Sequence, residues 1–322
     1  MNQPIGTLRG LQQCASLSGR FTIMALDHRQ NLRRMLRPSD PAGVSYDELV
    51  EFKRTAVRAL ASAASGVLLD PEIGAAECIA DGSLPGDVGL ITALEATGYE
   101  GPSTVRRSRL LDGWSATKAR DIGASAAKVL VYYHPHAANV GEQEEFVSRA
   151  VAECRAVDLP IFVEPLTYSV AEGMQLAGEE RRRAIVETTA SMARLGADVL
   201  KLQFPYGPEE SDRGRWRDAC AELTSIAGRP WVLLSGENSP DAFVEMAEIA
   251  CRAGASGVAC GRGIWTEATD LAAAERQAFF KDVAYRRLLR LREIVEQHAR
   301  PWTESYPHAA GSLENWYKTY SR

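Results

Sequence analysis

The chain has 322 residues, of which 45% are apolar and 25% are charged, a composition typical of globular proteins. Its net charge of −5 argues against nucleic acid as the main partner, because proteins that bind nucleic acid usually present a basic surface. No apolar run approaches the roughly 20 residues that span a bilayer, and residues 1–14 lack the pattern of a signal peptide, so we expect a cytoplasmic protein without a membrane partner.

Eight short apolar runs recur along the chain, separated by stretches with helical character. They are rich in Val, Ile and Leu and too continuous to alternate between a core and solvent, so both of their faces must be covered. Such runs are typical of parallel strands that lie beneath helices. The runs span residues 21–27, 66–70, 87–95, 126–133, 160–166, 199–205, 230–236 and 257–262.

The stretches between the runs predict helices, because their apolar residues recur at intervals of three and four. Gly123, Gly196 and Gly254 each stand just before a strand, where a left-handed glycine commonly ends a helix. Eight strands that alternate with helices predict a (β/α)8 barrel, a fold that takes ~250 residues. A doubly wound open sheet is the alternative, but the chain has no GxGxxG after its first strand and no GKS or GKT loop. The clearest predicted helices are residues 47–62, 144–157, 179–195 and 240–253.

Residues 300–322 follow the last predicted element of a barrel that spans residues 1–299. This C-terminal extension carries too many aromatic side chains for a free tail. We expect it either to pack on the barrel or to form a subunit interface, where aromatic residues are enriched, and we expect a homo-oligomer. The aromatic residues of the extension are Trp302, Tyr306, Trp316, Tyr317 and Tyr320.

No metal site is predicted. The six cysteines are scattered without a CxxC pair or a Cys/His ligand spacing, which is typical of a reduced intracellular protein. His134 and His136 are the nearest approach to a ligand pair, but no third partner stands at a strand end, so we interpret both as loop residues. We expect neither a metal nor a cofactor.

Polar residues late in the apolar runs are the candidates for function, since active sites of such barrels lie at the C-terminal ends of the strands. Lys201 interrupts the sixth run among apolar neighbours, although lysine is rarely buried without a partner. Lys128 and Glu164 stand in the fourth and fifth runs. The other strand ends carry Asp27-His28-Arg29, Asp70-Pro71-Glu72, Ser235-Gly236 and Gly261-Arg262.

These charged residues have a structural and a catalytic interpretation. Asp27–Lys128 and Glu164–Lys201 could be plain ion pairs, but buried pairs rarely add net stability, so two of them in one barrel favour function. A lysine confined near a second ammonium loses its proton more easily, and its neutral amine attacks a carbonyl to form a Schiff base. The imine draws electrons from the adjacent carbon and permits carbon–carbon cleavage without a metal, with Glu164 moving the protons.

The ends of the seventh and eighth strands predict a seat for a phosphate. Ser235, Gly236 and Gly261 offer backbone N–H groups there, and Arg262 stands beside them. Arg29 follows the first strand, which neighbours the eighth in a closed barrel, so both guanidinium groups can reach one end of a bound sugar. The alternative is that each arginine pairs with an acid at the rim, such as Asp27 or Glu237.

The chain resembles the class I tagatose-1,6-bisphosphate aldolase family, which includes the sulfofructose-1-phosphate aldolases. The resemblance implies a (β/α)8 barrel in which Lys201 forms the Schiff base and Glu164 is the acid/base. It also implies that Lys128 and Asp27 position substrate hydroxyls and tune the lysine, while Arg29 and Arg262 bind anionic ends of the substrate. The similarity runs from ALDHR (25–29) to ARPWTE (299–304) and rests on LLDPEIG (68–74), ALEATGY (93–99), DGWSA (112–116), GASAAKVLVYY (123–133), IFVEPLTY (161–168), GADVLKLQFP (196–205) and CGRGIW (260–265).

Two positions depart from the pattern of that family. Gln203 stands where the family usually has a glutamate, and we count it among the residues that bind substrate. Glu237 follows Ser235-Gly236 where the family tends to have glycine. A glutamate beside a phosphate seat repels a dianion, so either its side chain turns away or the group bound there is not the phosphate of the family.

We therefore expect an aldolase that reversibly cleaves a phosphorylated or sulfonated ketose, similar to tagatose or fructose 1,6-bisphosphate. The products would be dihydroxyacetone phosphate and an aldehyde such as glyceraldehyde 3-phosphate. One alternative is a sulfofructose-1-phosphate aldolase that yields sulfolactaldehyde, and another is a Schiff-base barrel for a deoxysugar phosphate or for transaldolase chemistry. A third is a non-catalytic barrel that senses a sugar phosphate.

Overall fold

Eight parallel strands form a closed barrel in the computed structural model, which describes residues 4–306 and 314–320. Each strand pairs with the next one along the chain, and the eighth strand pairs with the first. The predicted (β/α)8 barrel is therefore confirmed. The strands are β1 (Phe21–Leu26), β2 (Gly66–Leu69), β3 (Gly89–Ala93), β4 (Ala126–Tyr132), β5 (Ile161–Leu166), β6 (Val199–Leu202), β7 (Trp231–Leu234) and β8 (Gly257–Cys260).

Helices surround the barrel, and the four clearest predicted ones all form. Gly123, Gly196 and Gly254 have φ angles of 85°, 92° and 107°, so each takes the left-handed conformation predicted for the end of a helix. None of the described helices is long and apolar enough to cross a membrane.

The α-helices of the described residues are α1 (Ile5–Cys14), α2 (Gln30–Leu36), α3 (Tyr46–Leu60), α4 (Ala75–Ala80), α5 (Ala116–Asp121), α6 (Val140–Arg155), α7 (Gly178–Arg194), α8 (Arg213–Ala227), α9 (Pro240–Arg252), α10 (Arg262–Trp265), α11 (Ala273–Phe279), α12 (Tyr285–His298) and α13 (Trp316–Thr319). Short 3-10 turns form at Pro41–Gly43, Ala61–Ala63, Thr266–Asp270 and Trp302–Glu304, and a π-helical turn at Phe280–Ala284 joins α11 to α12.

The strands are buried on both faces because alternate residues point into the barrel and out towards the helices. In β1, Ile23 and Ala25 belong to the cluster that fills the barrel, whereas Met24 and Leu26 belong to the larger core beneath the helices. This alternation explains why the apolar runs are continuous. It also decides which residues of each strand reach the interior of the barrel.

Several predicted strands are shorter than the apolar runs that predicted them. The third run covered residues 87–95, but β3 ends at Ala93, so Glu95 lies in the loop that follows. The eighth run covered residues 257–262, but β8 ends at Cys260 and Arg262 is the first residue of α10. The polar residues that end these runs therefore lie beyond the strands, at the C-terminal mouth of the barrel.

The N-terminal end of the barrel is closed by α1 and by the segment after α12. Leu11 and Cys14 of α1 and Trp302 pack in the same cluster as Phe21 and Phe162 inside the barrel. The helix approaches so closely that a Cβ at Gly10 would lie 2.2 Å from the carbonyl oxygen of Ser125.

The described part of the C-terminal extension contacts the same end of the barrel. The hydroxyl of Tyr306 donates a hydrogen bond of 2.7 Å to the carbonyl oxygen of Asp198, and the hydroxyl of Tyr320 contacts the Asp158 carboxylate. Trp316 and Tyr317 remain exposed on α13. A role for these rings in a subunit interface stays a prediction, and residues 307–313 and 321–322 of the extension lie outside the described residues.

Candidate active site

The charged residues of the site occupy one layer of the barrel interior. Val199 of β6 faces the apolar cluster at the bottom of the barrel, and Lys201 stands two residues further along the same face. Phe162 and Glu164 have the same relation in β5, and Ala126 and Lys128 have it in β4. The strand period of two residues thus places the three charged side chains directly above the apolar layer, where the barrel begins to open.

A cavity of about 660 Å³ lies above this layer. The ten residues to which the sequence assigned catalytic or substrate-binding roles all line it, although they come from six separate strand ends and are up to 235 positions apart. They are Asp27, Arg29, Lys128, Glu164, Lys201, Gln203, Ser235, Gly236, Gly261 and Arg262.

Lys128 is the centre of a buried network of ion pairs. Its Nζ lies 2.8 Å from Oδ2 of Asp27, 2.7 Å from Oε1 of Glu95 and 2.9 Å from Oε2 of Glu164. The same Oε2 of Glu164 lies 2.8 Å from Nζ of Lys201. Lys128 forms hydrogen bonds with Asp27 and Glu95. The contacts of Glu164 Oε2 with the two ammonium groups are ion pairs whose angles do not fit a hydrogen bond.

The pKa values of this network are set by burial and by the opposite charges that offset it. Burial favours the neutral form of Lys128, but Asp27, Glu164 and Glu95 outweigh it and hold its pKa well above the ordinary lysine value. Burial likewise favours neutral Asp27, but Lys128 and Lys201 lower the pKa of that carboxyl well below its usual value. Burial also opposes charge on Glu164, yet the two lysines lower its pKa in the same way. These shifts favour the ammonium form of Lys128 and the carboxylate forms of both acids at neutral pH.

Arg29 lies beside this network and is buried. Its guanidinium contacts Glu72 at 2.5 Å and donates a hydrogen bond of 2.9 Å to the carbonyl oxygen of Glu95. The rim pairing considered for the arginines is thus present for Arg29, with Glu72 after β2 and Glu95 Oε1 at 3.8 Å as its acids in place of the examples Asp27 and Glu237. Its role in binding an anion stays a prediction.

The predicted phosphate seat lies where the loops that follow β7 and β8 meet. The backbone N–H of Gly261 donates to Oγ of Ser235 at 3.1 Å, which ties the two strand ends together. Gly236 has a φ of 57°, a conformation that favours glycine and lets the chain turn sharply after β7. Arg262 pairs with Glu237 at 2.5 Å, and the glutamate side chain is 81% exposed. The rim pairing considered for Arg262 is thus present, and the glutamate extends into solvent.

Comparison with known proteins identifies the family of this chain. The family model described as "DeoC/LacD family aldolase" matches residues 21–267. The chain belongs to the DeoC/LacD family of aldolases. It is therefore an aldolase, an enzyme that cleaves a carbon–carbon bond to release an aldehyde.

Curated relatives agree with this assignment, and a solved structure shares the fold. A tagatose 1,6-diphosphate aldolase of Listeria monocytogenes serotype 4b is 29% identical over 96% of each chain. A tagatose 1,6-diphosphate aldolase 2 of Streptococcus pyogenes serotype M3 is 28% identical over 90% of this chain and 94% of its own. The crystal structure of an archaeal fructose 1,6-bisphosphate aldolase superposes with a TM-score of 0.60 at 21% identity, covering 90% and 99% of the two chains, and shows the shared fold.

Glu95 is a residue of the aldolase site that the sequence interpretation missed. Its Oε1 binds Lys128, and its Oε2 accepts a hydrogen bond of 3.0 Å from the backbone N–H of Leu130. A signal was present, because Glu95 ends the third apolar run just as Asp27 ends the first. Glu95 also lies in ALEATGY (93–99), one of the stretches that resemble the aldolase family, but no role was predicted for it.

Asp70 stands at the end of β2 but faces away from the cavity of the aldolase. Its carboxylate forms a fully buried ion pair with Lys53 of α3 and accepts a hydrogen bond of 2.8 Å from the backbone N–H of Ile73. Lys53 Nζ also donates to the carbonyl oxygen of Leu26 at 2.8 Å. This pair therefore holds the end of β1, immediately before Asp27, from the side away from the cavity.

The remaining polar candidates are placed by loop contacts. Gln203 lines the cavity, and its Oε1 accepts hydrogen bonds of 2.8 Å from both the backbone N–H and the hydroxyl of Thr167. His134 and His136 lie in the loop after β4, as predicted, where Nδ1 of His134 accepts from the backbone N–H of His136. Within residues 4–306 and 314–320, no group of three or more His, Cys, Asp or Glu side chains is arranged to hold a metal ion.

Proposed function

We propose that this aldolase works through a Schiff base on Lys201 and that its substrate is a ketose 1-phosphate with a second anionic end. The products are dihydroxyacetone phosphate and an anionic aldehyde, such as glyceraldehyde 3-phosphate. The observation that carries the proposal is the unequal pairing of the two lysines. Lys128 is surrounded by three carboxylates, whereas Glu164 is the one carboxylate within 4 Å of Lys201 among the described residues.

This difference assigns the two lysines to different tasks. A lysine attacks a carbonyl only as a neutral amine, and the raised pKa of Lys128 keeps that residue protonated. Lys201 faces the cavity with a single ionised partner, Glu164, which lies 2.8 Å away and can accept the proton as the amine adds to a ketone. Lys128 then serves as a fixed positive charge that orients Asp27 and Glu164 and binds a substrate hydroxyl.

The chemistry follows from these assignments. The amine of Lys201 adds to the ketone carbon, and loss of water gives a protonated imine. The fourth-carbon hydroxyl loses its proton, the bond between the third and fourth carbons breaks, and the electron pair passes into an enamine as the aldehyde leaves. The enamine takes a proton at the third carbon, and water then releases dihydroxyacetone phosphate and the free lysine. Glu164, between Lys128 and Lys201, is placed to move these protons.

The proposed class of substrate rests on the rim of the cavity and on the relatives. Ser235 and Gly236 follow β7, Gly261 follows β8, and all three line the cavity beside Arg262, whose guanidinium is the kind of group that binds a phosphate. The names of the relatives from Listeria and Streptococcus support a ketose bisphosphate as substrate. Glu237 on Arg262 weakens the positive charge of this seat, so the glutamate must give way when a phosphate binds.

Reduction with borohydride tests the proposal. The aldolase would be incubated with tagatose 1,6-bisphosphate, with fructose 1,6-bisphosphate or with 6-deoxy-6-sulfofructose 1-phosphate, reduced, digested and analysed by mass spectrometry. We expect the reduced adduct on the peptide that contains Lys201, and none in the Lys201→Met variant. Labelling of Lys128, or labelling that survives in Lys201→Met, would overturn the assignment.

Treatment with a chelator tests whether the Schiff base cleaves the substrate without a metal ion. Because the protonated imine is itself the electron sink, cleavage requires no metal ion. We expect full activity after EDTA treatment and removal of the chelator by gel filtration. A loss of activity that Zn²⁺ restores would show that the carbonyl is polarised by a metal.

A further inference from the structure

Arg106 lies in the long loop between β3 and α5 and lines the same cavity. Its guanidinium carbon is 4.7 Å from the ring centre of Tyr99, 5.5 Å from that of Tyr132 and 4.6 Å from that of Tyr168. The three rings come from different segments, namely the loop after β3, the end of β4 and the loop after β5. Aromatic faces attract a cation without neutralising it, so the rings hold the guanidinium and leave its charge in place.

The backbone that carries Arg106 is fixed by buried side chains. The carbonyl oxygen of Arg106 accepts a hydrogen bond of 2.8 Å from Nδ2 of Asn139, and its N–H donates to the hydroxyl of Tyr168 at 3.3 Å. Two residues later, the N–H of Ser108 donates to Oε1 of Gln143 at 2.9 Å. Asn139 and Gln143 are each 3% exposed, which is unusual for amides that serve only a surface loop. The loop is therefore organised before any ligand arrives, which reduces the entropy lost on binding.

Arg106 also lacks the acidic partner that its neighbours have. Arg107 pairs with Glu142 at 2.9 Å, and Arg109 pairs with Glu100 at 2.9 Å. For Arg106, the described residues offer no Asp or Glu oxygen within 4 Å, and its Nε donates instead to the carbonyl oxygen of Ser103. An uncompensated guanidinium that faces a cavity and is held on a rigid backbone is well suited to bind an anion.

The position of Arg106 in the barrel indicates which anion it meets. The strands follow one another in order around the closed barrel, so β4 lies opposite β8. Arg106 contacts Tyr132 at the end of β4, whereas Arg262 follows β8. A ligand that places one phosphate at Arg262 and its carbonyl at Lys201 therefore extends its other end towards Arg106.

We propose that Arg106 binds the second anionic group, a phosphate or a sulfonate, at the far end of the ketose, and so makes the aldolase selective for doubly anionic substrates. This inference rests on the proposed function, since it takes the orientation of the ligand from Lys201 and Arg262. Phosphate and sulfonate share a tetrahedral array of oxygens that accepts two hydrogen bonds from one guanidinium. The three tyrosines fix the orientation of that guanidinium, which explains why an arginine and not a lysine stands there.

Binding of unreactive ligands tests Arg106 without depending on catalysis. Calorimetry would compare glucitol 1,6-bisphosphate with glucitol 1-phosphate, which are open-chain polyols without a carbonyl, and would include 6-deoxy-6-sulfoglucitol 1-phosphate as the sulfonate arm. We expect Arg106→Gln to weaken binding of at least one doubly anionic ligand by roughly 10- to 100-fold, the range for loss of a charge-assisted contact, and to change binding of glucitol 1-phosphate less than about twofold. Arg106→Lys should restore part of the loss. The ligand that responds identifies the anion.

Arg107→Gln is the matched control, because it removes a neighbouring guanidinium that is already paired with Glu142 and exposed. This variant should bind all of the ligands like the wild-type protein. Equal weakening by Arg106→Gln of ligands with one and with two anionic groups would mean that Arg106 only holds the loop. No weakening of either kind would mean that the second anion lies elsewhere. Either result overturns the inference. Absence of a Schiff base on Lys201 with selective binding intact would instead contradict the proposed function alone.

Discussion

Oε2 of Glu164 lies 2.8 Å from Nζ of Lys201, inside the barrel and above its apolar layer. The same oxygen is 2.9 Å from Nζ of Lys128, so one carboxylate is shared between a lysine that stays protonated and a lysine that can react. The arrangement keeps an ionised proton acceptor at the reacting nitrogen. It also makes the role of Glu164 separable from that of either lysine.

The Glu164→Gln variant should therefore lose catalysis and keep its fold. Glutamine has the size of glutamate but cannot carry the proton, so we expect turnover to fall by roughly 10²–10⁴-fold, the usual contribution of a positioned acid/base. Steady-state kinetics would measure the loss, and borohydride labelling of Lys201 should persist in part. A variant that turns over near the wild-type rate would reduce Glu164 to a structural partner of the two lysines.

Arg262 and Glu237 should have opposite effects on the phosphate seat. Arg262→Gln removes a charge-assisted contact, and we expect a loss of ~1.5–3 kcal/mol, or about one to two decades in kcat/KM. Glu237→Gln releases the guanidinium from an exposed ion pair worth ~0.2–1 kcal/mol, so the KM for the phosphorylated ketose should fall by up to about fivefold.

Two controls accompany this pair of variants. Glu267→Gln breaks a similar pair with Arg287 outside the cavity and should leave the kinetics unchanged. An analogue of the ketose without its 1-phosphate should respond to neither Arg262→Gln nor Glu237→Gln. Equal losses with both substrates would show that Arg262 holds the mouth of the barrel together and does not bind the anion.

The buried pair of Lys53 and Asp70 should be important for stability. Both side chains are fully buried, so Lys53→Met leaves the Asp70 carboxylate without its cation and the carbonyl oxygen of Leu26 without its donor. We expect the free energy of unfolding to fall by ~3–5 kcal/mol, measured by urea titration. The double variant Lys53→Met/Asp70→Asn should be markedly more stable than the sum of the single effects predicts, because no unpaired charge remains. Strict additivity would show that the two residues do not act as a pair.

Most of the fold and the centre of the site could be predicted from the sequence because both depend on local periods. Continuous apolar runs indicated strands covered on both faces, and glycines such as Gly196 marked the ends of helices. Lys128, Glu164 and Lys201 stand within those runs, two residues beyond an apolar neighbour, so the period of a strand alone places them in one layer.

The parts that escaped prediction depend on contacts between distant segments. Glu95 was missed although it ends the third apolar run, because its role depends on the pairing of β3 with β4 that brings it to Lys128. Lys53 lies on an amphipathic helix where a lysine normally faces solvent, and its partner comes from β2. The rings around Arg106 come from three different segments. Contacts between such segments cannot be read from the spacing of residues along the chain. Electrostatic partners are therefore harder to predict than the strands that carry them.

His28 should make the stability of the aldolase depend on pH between about pH 4.5 and 6.5. The ring packs edge-on against Trp265 with 5.0 Å between ring centres, and burial lowers its pKa to about 3, whereas the value in an unfolded chain is ~6.5. Between these two values the unfolded state binds one more proton than the folded state, so the free energy of unfolding falls as the pH falls. The slope is at most ~1.4 kcal/mol per pH unit for one such group.

Replacing His28 with glutamine removes this titration and isolates its contribution. The carboxylates with lowered pKa values, Asp27 and Glu164, also lose stabilising charge in acid, but they do so mainly below pH 4.5 and are present in both proteins. Urea titrations of wild type and His28→Gln at intervals from pH 7.5 to 4.5 would measure the difference. We expect the wild type to lose on the order of 2 kcal/mol more than the variant over this range. Parallel profiles for the two proteins would mean that the folded state protonates His28 as readily as the unfolded chain does.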